Sequence, residues 1–129
     1  MARMEARDLV RAHAAGRIAV GAAFVLAPGL AGRLWIGREA GRRAVKVLGR
    51  AFGVRDLALG LGVVIAVERG APLRGWVEGG VLSDAVDATA TLLAGDSIPP
   101  GVRRGALALG VSSALLGAGL AQALDDRSA

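Results

Sequence analysis

Two aspartates three residues apart, Asp84 and Asp87, lie in an otherwise apolar run, VLSDAVDATATLLAG, over residues 81–95. On a helix that spacing puts both carboxylates on one face, in line with Trp76, Gly80 and Thr91. A pair of this kind can hold a divalent cation, exchange a proton, or receive a guanidinium from a neighbouring segment. Mg²⁺-diphosphate chemistry needs further acidic residues around the pair, and the sequence places none there. An aspartate at the centre of a membrane helix costs about 2.5–3.5 kcal/mol on insertion scales, so a partner is expected. Arg55 in GVRDLALG can supply it. Successive residues on a helix point about 100° apart, so Arg55 and Asp56 are not each other's main partners and Arg55 is directed to Asp84 or Asp87. An interhelical cluster of Arg55 with Asp56, Asp84 and Asp87, and Thr91 on the same face, sums to −2 when every group is ionised. In a low dielectric that surplus favours a proton on at least one carboxyl. The cluster then reads as a proton- or cation-linked site, or as a polar clasp that fixes helix register.

Four apolar segments are available to position these groups. Helices are predicted over residues 17–35, 51–67, 75–95 and 105–124. The expected fold class is all-α: a four-helix transmembrane bundle with short connectors, the first of them basic, forming one domain over residues 1–129. The last segment has twenty residues without a charge, enough to span roughly 30 Å at a rise of about 1.5 Å per residue. The first has fifteen uncharged residues between Arg17 and Arg33. Both guanidiniums are expected to snorkel to headgroups, and Pro28 and Gly29 to bend or end the helix. GREAGRRAVKVLGR, with basic residues at 38, 42, 43, 46 and 50, reads as a solvated or membrane-surface connector. Arg3, Arg7 and Arg11 share one helical face and suggest a short interfacial helix over residues 1–16, with Met4 and Val10 towards other sides. Gly70 with Pro72, and the prolines of DSIPPG, mark turns, and DDRSA forms a polar tail. A soluble Ala-rich four-helix bundle is the competing architecture, because the second and third segments carry charges that lower their hydropathy.

Composition narrows the function classes. With 53% apolar residues and only 3% aromatic, the packing material is Ala, Val, Leu and Gly, which suits helices in close contact. Gly49, Gly53, Asp56 and Gly60 recur at helical steps and offer a smooth strip, and Gly80 lies on the face of the aspartates. Gly110, Ala114, Gly117 and Ala121 form a second seam beside Ser112 and Ser113, for packing within the bundle or between two copies. The formal charge of +5 is spread between apolar stretches, a pattern that fits a lipid bilayer and its headgroups and not nucleic acid. Lys and Arg divide almost evenly between the two sides, leaving orientation open; the run from Arg33 to Arg50 favours a cytoplasmic first connector.

The chain has no cysteine, which excludes disulfides and thiolate chemistry. His13 is the only histidine; it lacks a second ligand nearby and is expected to be exposed. Trp35 and Trp76 are expected as interfacial anchors and Glu78 as an acid at headgroup level. No G-x-S-x-G elbow, P-loop or H-E-x-x-H is present, and GLGVVIAV lacks the third glycine of a dinucleotide turn. Acidic residues early in MARMEARDLVRAHAAGRIAV argue against a cleaved signal peptide. No cofactor or metal is predicted. The expected role is a non-enzymatic structural or interaction component of the cell membrane, as a homo-oligomer or within a larger complex. A small proton- or cation-coupled transporter using Asp84 and Asp87 is the alternative.

GRAFGVRDLALGLG, followed by RGWVEGGVLSDAVDATATLLAG, resembles a group of small, uncharacterised four-helix membrane proteins common in high-GC actinobacteria. The likeness covers roughly residues 49–95 and includes Arg55, Asp56, Asp84 and Asp87. It implies the architecture and brings no activity with it. Small multidrug-resistance transporters share the size and helix number, but their membrane glutamate lies in the first helix, where this chain has no acidic residue.

Overall fold

A computed structural model describes the backbone of residues 2–125 and the side chains of residues 5–124. The chain is helical almost throughout, with no strand among the described residues. Five α-helices follow one another: α1 (Ala2–Leu26), α2 (Pro28–Ile36), α3 (Arg43–Glu68), α4 (Arg74–Leu93) and α5 (Pro100–Asp125). A 3₁₀ turn over Gly37–Gly41 leads into α3, and a second over Gly95–Ser97 precedes α5.

The helix predicted over residues 17–35 is in fact the second half of α1 plus α2. Nothing in residues 2–16 stops the helix, since Ala6, Val10 and Ala14 prolong the same buried face that carries Phe24. The segment expected as a separate interfacial helix is therefore continuous with the first apolar stretch. Pro28 then ends it: proline disfavours helical backbone in the residue before it, and Ala27 sits at φ −134°, ψ 59°. The same proline occupies the first turn of α2, where its missing N–H costs nothing. The basic connector is largely ordered as helix, because α3 begins at Arg43 and takes in AVKVLGR, residues with adequate helix propensity. The polar tail beyond Asp125, and the side chains of Arg3 and Met4, lie outside the described residues.

The α3–α4 turn shows local sequence at work. Gly70 adopts φ 62°, a left-handed conformation that glycine tolerates best. Its N–H reaches Val67 O at 3.3 Å, and Ala71 N–H reaches Ala66 O at 2.8 Å, a Schellman closure that satisfies two terminal carbonyls of α3 before Pro72 bars further helix.

The four long helices run alternately up and down. Along the α1–α3 contact, Ile18 meets Gly60, Gly21 meets Gly53 and Phe24 meets Gly49, an antiparallel order. α4 runs antiparallel to α5, with Val81 against Gly117 and Ala88 against Gly110. α2 closes one end against α1, α3 and α5. At Gly53 a Cβ would lie 2.6 Å from Gly21 O, and at Gly21 a Cβ would lie 2.7 Å from Gly53 O, so the two backbones touch there. At the other end an apolar cluster that includes Val10, Val63, Val67, Val77 and Leu120 fills the interior.

The outer surface is apolar to an unusual degree, with Leu26 81%, Leu34 80% and Leu93 81% exposed. Among the described residues, two helical segments, Glu5–Leu26 and Pro100–Leu124, are long and apolar enough to cross a membrane. The other two long helices carry charges that lower their mean hydropathy, Arg50, Arg55 and Asp56 on α3 and Glu78, Asp84 and Asp87 on α4.

The backbone contact at Gly53 makes a specific prediction. Gly53→Ala should destabilise the bundle by roughly 1–3 kcal/mol through overpacking. Gly16→Ala, where a Cβ meets nothing within 4 Å, should stabilise it by about 0.5–1 kcal/mol through helix propensity. Denaturant unfolding followed by circular dichroism of the chain in detergent micelles checks both signs.

Candidate functional site

The glycine contact between α1 and α3 brings a buried arginine to an acid. Arg17 lies one helical turn before Gly21, and Asp56 lies three residues after Gly53, so closing the backbones at the glycines presents one side chain to the other. Arg17 Nη1 donates to Asp56 Oδ1 at 3.0 Å. Its Nη2 donates to Asp84 Oδ2 at 2.5 Å and to the carbonyl of Gly80 at 3.4 Å. The Arg17 side chain is 6% exposed. Gly80 makes room for it, since a Cβ at that position would lie 3.1 Å from Arg17 Nη2. Ser113 on α5 donates from Oγ to Asp84 Oδ2 at 2.7 Å.

A second guanidinium sits beside the first. Arg55 forms a fork with Asp87, Nη2 to Oδ2 at 2.5 Å and Nη1 to Oδ1 at 3.1 Å. Its contact with Asp56 Oδ1 is long, 3.5 Å. At 34% side-chain exposure it is less enclosed than Arg17. The guanidinium carbon lies 4.6 Å from the Phe52 ring centre, a cation–π contact. Arg55 Nε is buried and has no hydrogen-bond partner among the described residues. Trp35, carried by α2, donates from Nε1 to Thr91 Oγ1 at 3.1 Å and packs on Phe52, while Thr91 Oγ1 donates to Asp87 O at 2.7 Å.

A cavity of about 500 Å³ opens between α1 and α5 onto this network. Leu9, Val20, Leu109 and Leu116 contribute apolar wall, and Asp56, Asp84, Asp87 and Ser113 also line it. No group of three His or acidic side chains that could hold a metal ion occurs among the described residues.

The sequence-predicted residues are redistributed. Arg55 reaches Asp87 but not Asp84; Asp84 belongs to Arg17, which lies in the interior and not at the headgroups its sequence position suggests. Arg17 is interior because Val10, Ala14, Arg17, Gly21, Phe24 and Pro28 recur at steps of four and three and are all buried. That period is the signal for Arg17 in the sequence, and hydropathy hides it because a charge at the edge of an apolar run reads as a boundary. With Arg17 included, two guanidiniums face three carboxylates, so the formal surplus is −1 and not −2. Half of the charge surplus that favours a proton on a carboxyl is thereby neutralised.

His13 is half-buried and lines the cavity, not an exposed residue. Trp35 bonds inward to Thr91, not outward as an interfacial anchor, because Pro28 turns α2 across the end of the bundle. Trp76 is 43% exposed and its ring covers Gly62. Glu78 pairs with Arg74 at 2.6 Å on the surface. Gly49, Gly53 and Gly60 face α1, Gly80 faces Arg17, and Gly110 and Gly117 face α4. Compared with known proteins, the chain matches no family model, no curated protein and no solved structure.

Removing one partner of a buried ion pair strands the other, at a cost of about 3–5 kcal/mol. Arg17→Met should therefore lose that much stability, and more than Arg55→Met, whose side chain is half-open to the surroundings. Arg17→Met with Asp56→Leu and Asp84→Leu should be more stable than Arg17→Met alone, because no charge is then left unpaired. Unfolding titrations in micelles read the order; strictly additive losses would show that the three side chains do not act together.

Proposed function

We propose that the chain is a small multi-pass integral membrane protein, non-enzymatic, acting as a structural or interaction component with itself or within a larger complex. The carrying observation is the inversion of its surfaces. Arg17, Asp56, Asp84 and Thr91 are buried, while many Leu and Val side chains face outward. In water the exposed apolar face and the buried charges are both unfavourable; in lipid the outer face becomes favourable and the charges must point inward. The two apolar segments at Glu5–Leu26 and Pro100–Leu124 support the reading. α3 runs antiparallel to α1 and α4 antiparallel to α5, and the two turn Arg55, Asp56, Asp84 and Asp87 toward the interior network, which is how charged helices are accommodated in a bilayer.

A second reading, proton- or cation-coupled transport through Asp84 and Asp87, is favoured by the cavity that reaches both carboxylates. Acidic groups lining an open cavity on the α1–α5 side are what support this reading.

Alkaline carbonate extraction of membranes from expressing cells should leave the untagged chain in the pellet; recovery as a detergent-free soluble monomer would overturn the membrane reading. The transport reading is separated by flux. In proteoliposomes with an imposed pH gradient, a structural component leaves the gradient intact, whereas a transporter dissipates it and loses that activity on Asp87→Asn.

A further inference from the structure

A second cavity, of about 430 Å³, lies at the end of the bundle where α1, α2 and α3 meet. Arg33, Lys46 and Arg50 line it, and no carboxylate does. None of the three forms an ion pair or a side-chain hydrogen bond with another described residue. Their neighbours behave differently: Arg42 bonds Glu39 and Arg103 bonds Asp96. Three cations lining one open cavity, with Arg33 and Arg50 exposed, repel each other, and an anion bound between them relieves that repulsion. Two of the three are guanidiniums, whose fork suits the paired oxygens of a phosphate. The stem of Lys46 lies over Gly29, where a Cβ would come 2.9 Å from its Cε, so the ammonium is directed by packing and is not merely tethered.

The same cavity has an apolar lip. Leu26 and Leu30 line it and are 81% and 70% exposed. An inorganic anion makes no use of them. An amphiphile does: its phosphate can sit among the cations while its chain lies along the two leucines and down the outer face of α1.

We propose that the cavity formed by Arg33, Lys46 and Arg50 with Leu26 and Leu30 binds the phosphate and proximal acyl chain of an anionic phospholipid. The inference rests on the membrane reading for the source of its ligand. Its ligand carries negative charge at headgroup depth, where juxtamembrane Lys and Arg are attracted to anionic lipid.

Native mass spectrometry of the full chain in maltoside micelles, with equal amounts of phosphatidylglycerol and phosphatidylcholine, tests it. Phosphatidylglycerol should be retained as a one-to-one adduct at least about tenfold more than phosphatidylcholine. The triple variant Arg33→Gln, Lys46→Gln, Arg50→Gln should abolish that preference. Arg38→Gln, Arg42→Gln, Arg43→Gln removes the same charge from residues that do not line the cavity and should preserve it. Leu26→Gln with Leu30→Gln should weaken lipid retention with the cations intact. Circular dichroism of each variant shows that the helices are kept, and the single Lys46→Gln gives the same reading if the triple variant fails to fold.

Equal retention of both lipids, or equal loss in the two triple variants, would overturn the site. Thermal protection by inorganic phosphate that matches the lipid and ignores the leucine changes would reassign it to a free anion and overturn the lipid assignment. A chain that stays in carbonate-washed membranes and yet shows no lipid preference refutes this inference while leaving the membrane reading in place.

Discussion

One guanidinium connects the four long helices. Arg17 extends from α1 to Asp56 on α3 and Asp84 on α4, and Asp84 takes the hydroxyl of Ser113 on α5. A planar group with two outward nitrogens can serve two carboxylates at once; a lysine ammonium carries its charge at a single point and lacks that fork. The constraint works backwards into the sequence. For Arg17 to reach both acids, α1 and α3 must approach at Gly21 and Gly53, and α4 must leave room at Gly80. The small residues that permit helix packing in general are here also the condition for the ion network to close.

The second tier is looser and differently supported. Arg55 forks to Asp87 and rests on Phe52, and Trp35 reaches Thr91 from α2. Phe24, Phe52 and Trp35 pack in sequence, with ring centres 4.6 and 5.8 Å apart. From one end to the other the interior thus passes from aliphatic packing around Val10 and Val67, through the Arg17 network, to this aromatic group. Each layer uses residues suited to its depth: branched aliphatics where nothing polar is near, ionic groups where glycine admits them, and aromatic rings where a guanidinium is left partly open.

Much of this was legible. The charge-free run of residues 105–124 falls within one helix, the α3–α4 turn at Gly70 is where glycine and proline place it, and Arg55 meets Asp87, one of the two acids that helical spacing and the need for a partner left open. Arg17 was not legible by hydropathy, which reads a charge at the margin of an apolar run as its end. A buried period at 10, 14, 17, 21, 24 and 28 identifies it, but only once the helix is allowed to begin before Gly16. Trp35 was hidden for a different reason. Its inward contact depends on the direction α2 takes after Pro28, and a proline in the sequence announces a break without giving its angle.

Both ends of the bundle carry cations, some of them partnered by acids and some not. Near the start of α1 and the end of α3, Arg11 meets Asp8 and Glu68, and Arg74 meets Glu78 at the start of α4. These pairs are exposed, so each contributes little to stability, but they neutralise charge locally. At the opposite end Arg42 meets Glu39 and Arg103 meets Asp96, while Arg33, Lys46 and Arg50 form no ion pair among the described residues and line one cavity. A Lys and Arg tally does not separate the two kinds, because it ignores partners. Partnered cations complete a surface within the chain itself, whereas unpartnered ones need a counter-charge from outside it. On the membrane reading proposed above, that counter-charge would be the lipid phosphate at the same depth.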